Sequence, residues 1–172
     1  MYRHVQPFIT AQHQDFYAQQ YQKYRDILFN LLKSPVKSTQ HIGGTFHFNY
    51  PTEPILDILV GVDNLHDITS LDEKRLNYAG FYRLHHPYEK KVMMAKFNNL
   101  IDLKQEVRLH ILQRHTPIFE QYAQYHDLLT SHTKAIDYFS TQKQQLTGTT
   151  LAIRDYEAQK AQWFKNLRQY SS

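Results

Sequence analysis

Residues 55–62 read Ile-Leu-Asp-Ile-Leu-Val-Gly-Val, an apolar, β-branched run entered through Glu53-Pro54 and closed by Asp63-Asn64. Apolar side chains on both sides of a strand have to be covered on both sides, which predicts a central strand of an α/β or α+β sheet. One carboxylate, Asp57, interrupts the run. An unpaired buried charge costs several kcal/mol, so such a residue is expected at an edge, paired, protonated or bound to a metal. About a dozen residues upstream stand Gly43-Gly44-Thr45. Paired glycines let backbone N–H groups approach a ligand with no Cβ in the way.

The flanking segments read as an α+β chain. Tyr17, Tyr21, Tyr24, Leu28 and Leu31 recur at helical spacing, which predicts a helix over 13–32 with Thr10 as N-cap and Pro35 beyond its end. A short strand is expected over 36–42 and a second helix over 67–78, leaving through Ala79-Gly80-Phe81. Residues 92–97 and 107–112 read as strands, an antiparallel pair joined through Asn98-Asn99. Thr116-Pro117 is a helix start with proline at the first helical position, and helices are expected over 117–130, 134–146 and 150–170. The last carries Ile153, Tyr156, Lys160, Trp163, Leu167 and Tyr170 on one stripe, with the Lys160 stem lying along the apolar face.

A chain of 172 residues is expected to form one domain, a sheet core over about 36–112 followed by C-terminal helices over about 116–170. With no cysteine, thiol catalysis, disulfides and cysteine-based zinc sites are excluded. Neither a leader-like apolar run at the N-terminus nor a stretch long enough to span a membrane is present, so a cytoplasmic protein without membrane association is expected. The net charge of +4 is spread along the chain, which argues against a dedicated nucleic-acid interface. The 13 tyrosines and 11 histidines are the unusual feature. His85-His86 are adjacent, and the other imidazoles show no tight metal spacing. No Ser-His-Asp or Gly-x-Ser-x-Gly pattern appears.

His41-Ile42-Gly43-Gly44-Thr45 and Pro54-Ile55-Leu56-Asp57-Ile58-Leu59-Val60 resemble the GrpB family signature, H-[IV]-G-S-T-x-V-P-G followed by K-P-I-I-D-[IL]-L-V. Arg108-Leu109-His110-Ile111 is similar to the family's H-L-H-V strand. Tyr125-His126-Asp127-Leu128-Leu129-Thr130-Ser131-His132, with Tyr138 and Lys143 after it, is similar to its F-R-D-Y-L-R-x-H segment. The resemblance runs over nearly the whole chain. It implies a nucleotidyltransferase-like fold, a nucleotide or other phosphorylated small molecule as ligand, and Mg²⁺ as cofactor.

On that resemblance, His41, Gly43, Gly44 and Thr45 would cradle phosphate. Asp57 and His110 would be the catalytic pair, Asp57 and Glu106 the metal ligands, and Asp127 a supporting residue bridging helix and sheet. Four departures stand out. Gly44 replaces serine, His47-Phe48-Asn49 replaces V-P-G, Glu53 replaces lysine and His126 replaces arginine. Two cations lost and one anion gained should weaken binding of a polyanion. Leu59 also stands where a second acid would share a strand face with Asp57. Two readings follow: a Mg²⁺-dependent nucleotidyltransferase, or an inactive fold that binds a ligand or self-associates through a tyrosine-rich face of the C-terminal helices.

Overall fold

The computed structural model describes residues 9–50, 52–65, 70–84, 91–98, 104–146 and 153–170, with backbone only at 70–72, 144–146, 153–157 and 168. Among these residues the chain forms five strands and six α-helices. A short 3-10 turn, Ala11–His13, leads into α1, Gln14–Phe29. Thr10 precedes the 3-10 turn and makes no side-chain cap, so the expected cap falls a turn ahead of the helix. Lys33, at φ +49°, turns the chain away, and Ser34 Oγ donates to the Leu28 carbonyl at 2.6 Å.

β1 (Ser38–Ile42) runs into α2 (Gly44–His47), a single helical turn, and then β2 (Leu56–Val62). α3 (Ser70–Tyr78), β3 (Tyr82–Arg83), β4 (Lys91–Phe97) and β5 (Gln105–Gln113) follow. The C-terminal third holds α4 (Pro117–Ser131), α5 (Thr133–Leu146) and α6 (Ile153–Asn166), closed by a 3-10 turn at Leu167–Tyr170. Thr116 caps α4 as its sequence predicts, its Oγ1 accepting from the Phe119 N–H with Pro117 at the first helical position.

The sheet order is β1-β2-β5-β4-β3. β2 and β5 run parallel; the other neighbours are antiparallel. The expected β4–β5 pairing is present. The Asn98 N–H donates to the Lys104 carbonyl at 2.9 Å across a connection whose residues 99–103, including Asn99, lie outside the described set. His85 and His86 lie outside it too.

The two faces of the sheet bury different sets. Ile58, Val60, Val62, Leu109 and Ile111 pack under Tyr17, Tyr24 and Leu28 of α1 and Leu76 of α3. On the other face Ile42, Leu59 and Leu112 meet Ile118, Phe119 and Tyr122 of α4. A further cluster of Tyr50, Leu129, Ala135, Phe139, Trp163 and Leu167 joins the segment before β2 to α4, α5 and α6. Tyr125, Tyr138 and Tyr170, each half-buried, pack against this cluster, so the described tyrosines of the C-terminal helices give part of the face expected there to the interior. Each ring lays part of its apolar body against the interior.

Candidate functional site

β1 ends in a turn that only glycine fits. Gly43 has φ +78° and ψ −171°, a region essentially closed to residues with a Cβ. A Cβ there would lie 3.1 Å from Asp57 Oδ2, so the carboxylate leans directly against the turn. Asp57 pairs with Ile42 across the β1–β2 ladder, which is why residues fourteen apart meet. Gly44 is held by a different neighbour: a Cβ would fall 2.2 Å from Thr52 Oγ1.

On the β5 side, His110 Nε2 lies 2.9 Å from Asp57 Oδ1. The two side chains keep 12% and 18% of their surface, so the pair sits at a rim and not in a sealed core. Arg108 is the register partner of Asp57 on β5 and is itself buried, its Nε donating to Gln105 Oε1 at 2.9 Å. Burial would push the Asp57 carboxyl up. The His110 hydrogen bond and the charges of Arg108 and Lys160 oppose it and hold the group well below the usual carboxylate range. Burial, joined by the charges of Arg108 and Lys91, pushes His110 down against the lift from Asp57. The pair is therefore a neutral imidazole donating Nε2–H to an ionised carboxylate, leaving His110 Nδ1 buried with no hydrogen-bond partner.

His41 reaches Thr45 Oγ1 at 3.0 Å and does not bond Asp57. Its ring stacks on Tyr21 and meets the edge of Phe46, which in turn touches His126. His47 stacks on His126, and its Nδ1 accepts from the Asn49 N–H, so its Nε2 carries the proton. Burial lowers His41 to about 4, with Asp57 opposing, and lowers His47 to about 3, with His126, Lys143 and His41 adding to the effect. His126 is also lowered, by burial. His126 faces inward, whereas its neighbour Asp127 is exposed on α4, with no bridge from it to the sheet among the described residues. The sequence signal lay in that segment, one residue away.

Glu106 is exposed, and its charge is felt by Tyr17 and Tyr24 of α1, on the sheet face opposite Asp57. The ladder shifts register at Lys96/Phe97, which breaks the alternation that would have put Glu106 on the same face as Arg108 and His110. Mg²⁺ requires oxygen ligands converging at about 2.1 Å. Here Asp57 Oδ1 is engaged by His110, Oδ2 rests against Gly43, and Leu59 beyond it is buried. Among the described residues no group of three His, Asp or Glu side chains is placed to hold a metal ion. The described residues do not fit a carboxylate site for Mg²⁺.

Glu53 is buried and lies 3.4 Å from Lys160 of α6. Lys143 is buried too, donating to Thr52 Oγ1 at 3.0 Å and lying over the Tyr50 and Phe139 rings. Both cations come from the C-terminal helices and converge on the segment that leads into β2. Glu53→Lys is expected to destabilise the fold by about 3 kcal/mol, since it places like charges in a largely buried pair, and the double change Glu53→Lys with Lys160→Glu to recover most of that loss. Denaturant midpoints of the four chains test the coupling.

The family model described as GrpB protein matches residues 8–169. The chain belongs to the GrpB family. It is 28% identical over 124 residues to the Glutamate-rich protein GrpB of Alkalihalophilus pseudofirmus, an overlap of 72% of this chain and 71% of that protein. The conserved protein GrpB from Enterococcus faecalis superimposes with a TM-score of 0.71 at 20% identity, covering 98% of both chains. The mixed α+β fold is therefore that of GrpB. A fainter likeness, TM-score 0.47 at 13% identity, covers 70% of this chain and 36% of Cid1, a protein with RNA terminal uridylyl transferase activity. In GrpB terms, the serine-to-glycine departure at Gly44 is explained by Thr52, which leaves no room for a side chain. The lysine-to-glutamate departure at Glu53 is matched by Lys160. Among the described residues no helix is long and apolar enough to cross a membrane.

Proposed function

We propose that this GrpB protein binds a phosphorylated small molecule, a nucleotide included, at the rim where the Gly43-Gly44 turn meets Asp57. The observation that carries this reading is the contact of the turn with the carboxylate, with the charges of Arg108 and Lys160 focused on the same point. A turn free of Cβ atoms lets backbone N–H groups reach phosphate oxygens, and nearby cations offset the ligand's charge. The nucleotidyltransferase-like fold implied by the family resemblance supports a phosphate-handling site here. Nucleotidyl transfer is left out of the reading, because that chemistry rests on carboxylates sharing metal ions and Asp57 stands without a second acid beside it among the described residues.

Thermal melts in the presence of nucleoside mono- and triphosphates and sugar phosphates test it. A ligand at about a hundred times its Kd adds about 2.7 kcal/mol, and so raises Tm by several degrees. At least one of these compounds is expected to do so in wild-type protein and to lose the effect in Lys160→Gln. No shift with any of them, with or without divalent cation, would overturn the reading.

A further inference from the structure

We infer that the place a divalent metal would take at Asp57 is filled by the protein itself: the imidazole N–H of His110, backed by Arg108 and Lys160, makes the phosphate site metal-independent. The inference rests on the phosphate-binding reading for its ligand, but its metal arm stands without one.

The geometry leads there in three steps. First, His110 Nε2 lies 2.9 Å from Asp57 Oδ1, within hydrogen-bond distance, so the imidazole occupies the side from which a cation would approach that oxygen. Second, the other oxygen faces the turn, where a Cβ added at Gly43 would lie 3.1 Å from it. Third, the neighbouring positions on this face are Leu59, which is buried in an apolar cluster, and Arg108, which is a cation. A carboxylate facing an N–H donor, with Arg108 across the ladder and Lys160, itself paired with Glu53, nearby, already has part of the field a metal would have given it. Lys91, whose Nζ donates to Tyr122 Oη at 2.7 Å, adds positive charge on the far side of the His110 ring, where Tyr122 packs.

The same geometry says how to undo the arrangement. Aspartate is shorter than histidine, so in His110→Asp a second carboxyl would stand back from Asp57 Oδ1 and leave a gap that a cation can bridge. Oxygens held at about 2.1 Å from a shared ion need a gap of that kind.

Mn²⁺ titrations followed by electron paramagnetic resonance, on wild type, Asp57→Asn, His110→Asp and the double variant, read this directly. Wild type and Asp57→Asn are expected to bind Mn²⁺ equally weakly. His110→Asp is expected to gain a one-to-one site at least about tenfold tighter, the scale on which single ligand-shell groups tune metal affinity, and the double variant to lose it. A stoichiometric Mn²⁺ site in wild type that Asp57→Asn removes would overturn the inference. Should His110→Asp not fold, ¹⁵N spectra of the wild-type imidazoles decide it. The His110 Nε2–H signal is expected to stay unmoved by millimolar Mg²⁺ and unbroadened by Mn²⁺; displacement or broadening would sink the idea. A ligand shift in the melts that survives a chelator supports it, and one abolished by the chelator overturns it. No ligand shift at all would count against the phosphate-binding reading alone, and the Mn²⁺ result would still read.

Discussion

Acidification is expected to unfold this protein well above the range where carboxylates alone would do so, with a midpoint between about pH 4 and 5. The cause is the cluster of His41, His47 and His126, all kept neutral by burial, with His41 lowered to about 4 and His47 to about 3. In the unfolded chain each would take up a proton near pH 6.5. Below that pH the unfolded state therefore binds more protons than the folded one, and stability falls as pH falls. Each such group contributes about 1.4 kcal/mol per pH unit until its folded value is reached. His41 and His47 together remove about 3 kcal/mol per unit, and His126 adds loss in the same direction, against a total stability of about 5–15 kcal/mol. Asp57, held below its usual range, adds loss of the same sign at still lower pH. Fluorescence of Trp163, the single tryptophan and itself buried, reports the transition. His47→Gln and His126→Gln should each flatten the pH dependence. A Tm unchanged between about pH 7 and 5 would show that the imidazoles are not neutral in the fold.

The second large effect comes from restoring the family's own residue. Gly44→Ser is expected to destabilise the protein by about 3 kcal/mol, because overpacking a closed contact forces backbone or side chains to move. A Cβ at Gly44 would meet Thr52 Oγ1 at 2.2 Å and Thr52 Cβ at 2.5 Å, so no rotamer of Thr52 relieves it. Thr52 cannot swing away without giving up the Lys143 hydrogen bond and its bridge to Ile9. For a chain of this size that cost corresponds to a Tm lower by about 6–12 °C. A Gly44→Ser protein that melts with wild type would mean that Thr52 is not seated against the turn.

How far the sequence led can be judged residue by residue. β2 was legible because continuous apolarity has few interpretations, and α4 because Thr116 and Pro117 announce a helix start by their own chemistry. The meeting of Gly43 with Asp57 followed from the family resemblance, not from periodicity. The pairing of Asp57 with His110 came from the family resemblance as well: the two are 53 residues apart, and no local rule encodes a parallel pairing across that distance. Glu106 went astray through a single register shift in β5, since strand alternation is a rule that one extra residue inverts. Glu53 read as an anion gained beside the phosphate site and Lys143 as a family match, and neither as buried, because helical periodicity does not say how the C-terminal helices pack over the segment before β2. The imidazole cluster escaped for the same reason. His41, His47 and His126 come from a strand, a one-turn helix and α4, and only tertiary packing gathers them.

The parallel pairing of β2 with β5 also has a kinetic consequence. Closing a loop of about 50 residues costs roughly 3–4 kcal/mol of chain entropy before any contact across it is rewarded. Helices α4 to α6 lie downstream and can form from near-neighbour contacts, so they are expected to appear early in refolding. The rim residues wait for the distant strand to arrive. On the ribosome, a nascent chain that has not yet released β5 carries the glycine turn and its aspartate but not the imidazole that completes them. Competence for binding would then be among the last properties the chain acquires.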